Sequence, residues 1–99
     1  MAETIDELTI DYHEGDTLTV KQLAKEVLTK GAWTTILFKY QDWDNKLQQY
    51  GPIKYTIRRY QKRNNEYKAK SKFNISSIDQ AKKIITILQT WIKDDSEKI

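Results

Sequence analysis

The residues with the most chemical potential sit in one short stretch. Residues 53–72 hold Lys54, Arg58, Arg59, Lys62, Arg63, Lys68, Lys70 and Lys72 against one acid, Glu66, a net +7. Cations at this density bind anionic oxygens through charge-assisted hydrogen bonds. Tyr60 stands among them, and Phe38 or Trp43 of a neighbouring segment can add aromatic faces. The opposite charge is gathered at the start: residues 1–20 carry six acids and no Lys or Arg, a net −6. Residues 21–52 give +2 and residues 73–99 give 0, so the overall +3 conceals a strong separation. Such separation suggests a polyanion partner and a self-shielding acidic arm. A solvated charged surface is the competing reading.

Other chemistries find little support. There is no Cys, hence no disulfide, thiolate metal site or thiol nucleophile. The one His, His13, lies in a polar stretch. Asp42 and Asp44 flank Trp43 but have no third ligand and no phosphate-cradling glycine loop beside them. The three glycines are scattered, and Ser76-Ser77 reads as a helix cap rather than a nucleophile. No catalytic residue, metal ligand or cofactor site is expected. No apolar run approaches the ~18–20 residues of a membrane span. The acidic N-terminus lacks the order of a signal peptide. A cytoplasmic protein is the expectation.

Ninety-nine residues make one domain, with an apolar share of 38% and therefore a thin core that oligomerisation would supplement. Residues 1–16 read as a weakly ordered acidic arm, 17–93 as one α+β domain and 94–99 as a charged tail. Thr19 and Gln22 form a capping-box pattern, and Val20, Leu23, Ala24, Val27 and Leu28 fall on one helical stripe, with Gly31 as a C-terminal stop. This predicts a helix over 19–30. Residues 33–43 are aromatic and β-branched and read as a strand apolar on both faces. Residues 44–52 form a loop ending in Gly51-Pro52. Strands follow over 53–63 and 67–75, with a turn at Asn64–Glu66. A helix over 77–93 opens at Ser76 or Ser77 with Asp79 or Gln80. Its apolar stripe, from Ile78 to Ile92, is wider than one sheet face requires, which points to a second protomer; cover by the first helix is the alternative.

Side-chain alternation gives the two late strands one mostly apolar face and one basic face. A two-residue turn at Asn64-Asn65 would pair 63 with 66 and so set Ile57 opposite Lys72, mixing the faces. A three- or five-residue loop, or a bulge, pairs 63 with 67. Ile57 then faces Phe73 and Tyr55 faces Ile75 in the core. The other face pairs Lys62 with Lys68, Tyr60 with Lys70 and Arg58 with Lys72. Like charges opposed on a sheet cost up to ~1 kcal/mol a pair. An anion laid across Lys54, Arg58, Lys62, Lys68, Lys70 and Lys72 would offset that. With Lys39 and the rings of Tyr60, Phe38 and Trp43, this describes a platform for single-stranded nucleic acid.

The order of three strands and a helix from Trp33 to Ile92 resembles the single-stranded-DNA-binding domain of transcriptional positive cofactor four and its bacterial and phage relatives. Ile57-Arg58-Arg59-Tyr60 is similar to the family's I-R-x-Y. Ser71-Lys72-Phe73-Asn74-Ile75-Ser76 running into Asp79-Gln80 is similar to its basic last strand and helix cap. Gln61 stands where the family has a second aromatic, and the predicted helix 19–30 replaces the family's opening strand. The resemblance implies a curved antiparallel sheet, a long C-terminal helix that joins two protomers, and single-stranded DNA bound on the sheet. It makes Arg58 a DNA-contacting cation, with Lys70 or Lys72 as its last-strand counterpart. The expected protein is thus a homodimeric single-stranded-DNA binder of low sequence specificity, serving transcription, replication or repair. An RNA-binding protein and a protein-interaction module using the same face are the alternatives.

Overall fold

The strand over Trp33–Asp44 organises the chain. In the computed structural model, which describes residues 2–96, it lies at the centre of a curled antiparallel sheet. The elements are β1 (Tyr12–Glu14), β2 (Thr17–Thr29), β3 (Trp33–Asp44), β4 (Gln49–Tyr50), β5 (Lys54–Arg63), β6 (Glu66–Ile75) and α1 (Ile78–Ser96). The sheet order is β1-β2-β3-β5-β6, with β4 folded back on the end of β3. A short 3-10 turn over Ile5–Glu7 precedes β1. This is an α+β arrangement with one C-terminal helix.

The even-numbered side chains of β3 make the core. Thr34, Ile36 and Phe38 are fully buried, with Tyr40 close behind. Tyr60 and Thr56 of β5 share that face, because Thr34 pairs with Tyr60 and Phe38 with Thr56. The covering layer is the N-terminal segment: Leu8 and Ile10 are buried against Ile36, Phe38, Tyr40 and Tyr60. The acidic arm is therefore docked along the sheet. This side is called the strap face below. The opposite side, called the helix face, carries Leu37, Tyr55 and Ile57 and meets α1 across a groove of about 410 Å³.

The helix expected over 19–30 is a strand. β2 contains three Thr and two Val, all β-branched. It also supplies the partner that β3 needs on its second edge. Register shifts between Gln22 and Ala24 and between Val27 and Thr29 break the two-residue alternation. Val20, Gln22, Lys25 and Val27 consequently fall on one face at intervals of two, three and two. Of the expected stripe, Val20 and Val27 pack against the core, Ala24 falls on the other face, and Leu23 and Leu28 are the extra residues at the two shifts. The capping-box residues are otherwise engaged: Thr19 Oγ1 donates to the Tyr12 carbonyl, and Gln22 Oε1 accepts from Thr9 Oγ1 and the Ile10 N–H. Gly31, at φ +133°, turns the β2–β3 hairpin instead of ending a helix.

The last hairpin differs in detail from the expected one. Asn64 and Asn65 both have positive φ, 54° and 62°, and form a two-residue turn with Arg63 opposite Glu66. A bulge then corrects the register. Arg59 pairs with Ser71 and Tyr60 with Ala69, leaving Lys70 as the extra residue. Beyond it Ile57 faces Phe73 and Tyr55 faces Ile75, as expected, but that side is only partly covered. Ile75 is buried, whereas Phe73 is 56% exposed.

α1 starts at the expected cap. Ser77 Oγ accepts the Gln80 N–H at 3.1 Å, and Gln80 Oε1 accepts the Ser76 N–H at 2.9 Å. The helix continues to Ser96, into the stretch expected as tail; the remaining tail residues, 97–99, lie outside the described residues. None of its residues is buried. No helix among the described residues is long and apolar enough to cross a membrane.

Two substitutions test this layering by urea denaturation. Phe38→Ala is expected to cost about 3–5 kcal/mol, as a large side chain lost from a closed site. Leu28→Ala, at a 54% exposed position, should stay within about 0.5 kcal/mol. Comparable losses at both positions would contradict the assignment of faces. At the turn, Asn65→Val should cost about 1–2 kcal/mol and Asn65→Gly nothing, since only the former is strained at positive φ.

Candidate functional site

The bulge at Lys70 decides where the cations go. β5 keeps its alternation, so Lys54, Arg58, Tyr60 and Lys62 remain together on the strap face. On β6 the register change carries Lys68 opposite Gln61, onto the helix face, and puts Tyr67 opposite Lys62. The expected pairs Lys62–Lys68 and Tyr60–Lys70 are not formed. Arg58–Lys72 is formed. Around it lies a hollow of about 190 Å³ lined by Arg58, Ala69, Lys70, Ser71 and Lys72. Three cations thus line one open hollow.

The orientation of Arg58 is set from beneath. Its Nε donates to Thr56 Oγ1 at 3.3 Å, and that fully buried hydroxyl donates to Asn74 Oδ1 at 2.7 Å. Arg58, Lys70 and Lys72 have no acidic partner among the described residues. The only ion pair among the described residues joins Lys54 Nζ to Asp42 Oδ2 at 2.9 Å. Lys62 Nζ lies 5.4 Å from the Tyr67 ring centroid, a cation–π distance.

The aromatic candidates separate. Phe38 and Tyr60 are buried under Leu8 and Ile10. Burial pushes the Tyr60 phenol above its ordinary pKa, with the Arg58 charge acting weakly the other way. Trp43 lies at the far end of β3, edge-on to Tyr50 at 5.0 Å, its indole N–H donated to Asn45. Lys39 is exposed on the helix face opposite Tyr55. Lys39, Trp43 and Lys68 therefore lie apart from the Arg58 cluster.

Two groups gain importance only in the folded chain. Lys25 and Gln22, the latter expected in a capping box, grip the N-terminal segment from β2. Arg59 stacks 4.2 Å from the Trp33 ring centroid, at the edge of the helix face. The alternation of β5 marks Arg59 as opposite in face to Arg58, but no sequence signal pairs it with Trp33. Among the described residues no cluster of three or more His, Asp or Glu is placed to hold a metal.

Comparison with family models, with curated proteins and with solved structures returns no match to this chain.

The Asp42–Lys54 pair has a signature in alkali. The hydrogen bond that Lys54 donates to Asp42 raises the Lys54 pKa, against a smaller opposing effect of burial. A pKa raised by folding adds stability below the ordinary lysine range, and that stability is lost as pH rises through the folded value. Tyr60 has the same sign but is untouched by a change at Asp42. Between about pH 9 and 12 the stability of Asp42→Asn should fall less steeply than that of the wild type. Parallel pH profiles from chemical denaturation would show that the pair contributes nothing.

Proposed function

We propose that the chain is a single-stranded-DNA-binding protein of low sequence specificity that acts without catalysis, in transcription, replication or repair in the cytoplasm. The observation that carries this reading is the cluster of Arg58, Lys70 and Lys72, gathered by a bulge around a small hollow and with no acidic partner among the described residues. Opposed like charges are a cost that a merely solvated surface has no reason to keep. A phosphodiester supplies the missing charge, and Lys54 and Lys62 extend the basic track along β5. The similarity of Ile57-Arg58-Arg59-Tyr60 to the positive cofactor four motif supports the same partner.

The working form we propose is a homodimer through α1. A chain of this mass exposes about 5,900 Å² when folded as a compact monomer. This one exposes 7517 Å². Its radius of gyration is 16.3 Å, against about 13 Å for a compact domain of this length. The excess surface is on the scale that each partner loses in a stable dimer. Ile85, Ile87, Leu88, Trp91 and Ile92 of α1 are each 46–61% exposed, and Phe73 stands open on the same side of the sheet. A second copy has the matching surface by symmetry.

Fluorescence anisotropy with a labelled oligothymidylate tests the first claim. Affinity should fall with salt with a log–log slope of about −0.7 per phosphate neutralised. Arg58→Glu with Lys72→Glu should abolish binding, and retained binding would reject this face. Duplex DNA and RNA competitors of equal length separate the RNA reading. Failure to bind any nucleic acid would favour a protein partner. Sedimentation equilibrium tests the second claim: the wild type should be a dimer, and Leu88→Glu with Trp91→Glu a monomer. A monomeric wild type at high concentration would remove the dimer.

A further inference from the structure

The first residues of the chain lie across the strap face like a bound ligand. At β6, the Tyr67 N–H donates to the Ala2 carbonyl at 2.9 Å. At β2, Lys25 Nζ donates to the carbonyls of Ile5 and Leu8 at 2.6 and 2.8 Å. Further along, the Gln22 N–H donates to Asp11 Oδ1 at 2.7 Å, and Gln22 Oε1 accepts the Ile10 N–H. The anchors stand on the strands flanking β3 and β5, so the segment between them spans those two strands. Leu8 and Ile10 fill the space over Phe38, Tyr40 and Tyr60. Those three rings are the aromatic floor of the face whose β5–β6 margin carries Arg58 and Lys72.

We infer that residues 5–11 are a displaceable strap over a base-binding floor formed by Phe38, Tyr40 and Tyr60. The inference rests on the single-stranded-DNA reading above. The strap's attachments are of a kind that can be exchanged. Leu8 and Ile10 pack it on the rings with Ile5 partly buried beside them, and Lys25 and Gln22 bind it by hydrogen bonds. Glu3, Asp6 and Glu7 form no ion pair with the sheet. A nucleobase stacked on an exposed ring replaces the contact that Leu8 or Ile10 gives up. The acids of the strap repel phosphates while it is closed, so the same segment blocks the floor and shields the margin. A competitor within the chain lowers apparent affinity by the fraction of molecules that are open. Only a strand long enough to hold the basic margin and the floor together displaces it well.

Labelled oligothymidylate and amide hydrogen exchange test this together. Leu8→Ser with Ile10→Ser should bind at least about ten-fold tighter than the wild type at low salt. In the wild type saturated with the oligonucleotide, the amides of Ile10, Gln22 and Tyr67 should exchange faster than in the unbound protein. Equal affinities of a folded double variant, or unchanged exchange at saturation, would overturn the strap and leave DNA binding intact. Absence of binding by both proteins would overturn both readings. If the double variant does not fold, exchange in the wild type decides alone.

Discussion

The burial of β3 is the constraint on which the rest of the molecule depends. Ile36 and Phe38 are wholly removed from solvent, yet the chain is 17 Å thick along its shortest axis and contains one sheet. A single sheet cannot hide its own side chains. Hydrogen bonding to β2 and β5 satisfies the edges of β3 and leaves its faces to be covered. On one side the cover is Leu8 and Ile10, drawn from the most acidic part of the chain. On the other it is a helix with no buried residue. The N-terminal segment is therefore a structural layer as well as a charged arm.

The strands expected over 33–43, 53–63 and 67–75 and the last helix were legible because each carries a strong local signal: β-branched and aromatic runs, a polar break at Asn64–Glu66, a serine cap. The two-residue form of that turn was not, because a bulge further along β6 restores the pairing of Ile57 with Phe73. β2 was not, because its apolar residues, divided between the two faces and the two bulges, happen to fall at helical spacing. A bulge is set by the partner strand, here β3, and leaves no mark in the sequence of β2 itself. The arm was hidden for a related reason. Leu8 and Ile10 are isolated apolar residues among acids, and only the exposed face of β3 makes them core. The parity of β5 and β6 was legible up to Lys70. From there to the turn it is inverted on β6, so Lys68 and Tyr67 exchange the faces expected of them.

That inversion shapes the electrostatics more than the number of lysines does. A regular ladder would spread six cations evenly over one sheet face. The bulge sends Lys68 away, leaves Lys70 unpaired and brings it beside Arg58 and Lys72. The charge becomes concentrated, and Arg58 is steadied through Thr56 and Asn74. A fixed guanidinium within a cluster attracts one phosphate more strongly than the same charge dispersed on mobile chains, because less side-chain freedom is lost on binding. The aromatic surface, by contrast, is withheld. Phe38 and Tyr60 are the rings best placed for stacking by sequence, and both are in the core while the arm is closed.

The two faces of the sheet therefore have separable roles. The helix face is apolar, incompletely covered and edged by Arg59 on Trp33. The strap face is polar at its margin, aromatic at its floor and closed by the chain itself. Because the faces are opposite sides of one sheet, a second copy seated on the helix face leaves the strap face outward in both protomers. Dimerisation and strand capture then do not compete for surface. The two faces share β3 and β5, whose odd-numbered side chains lie toward the groove beside α1 and whose even-numbered side chains meet the arm. The arm is the tighter of the two covers, with Leu8 and Ile10 buried where no residue of α1 is. A strand of nucleic acid reaching the aromatic floor would therefore have to displace core side chains, whereas a second copy would meet a face that is already open.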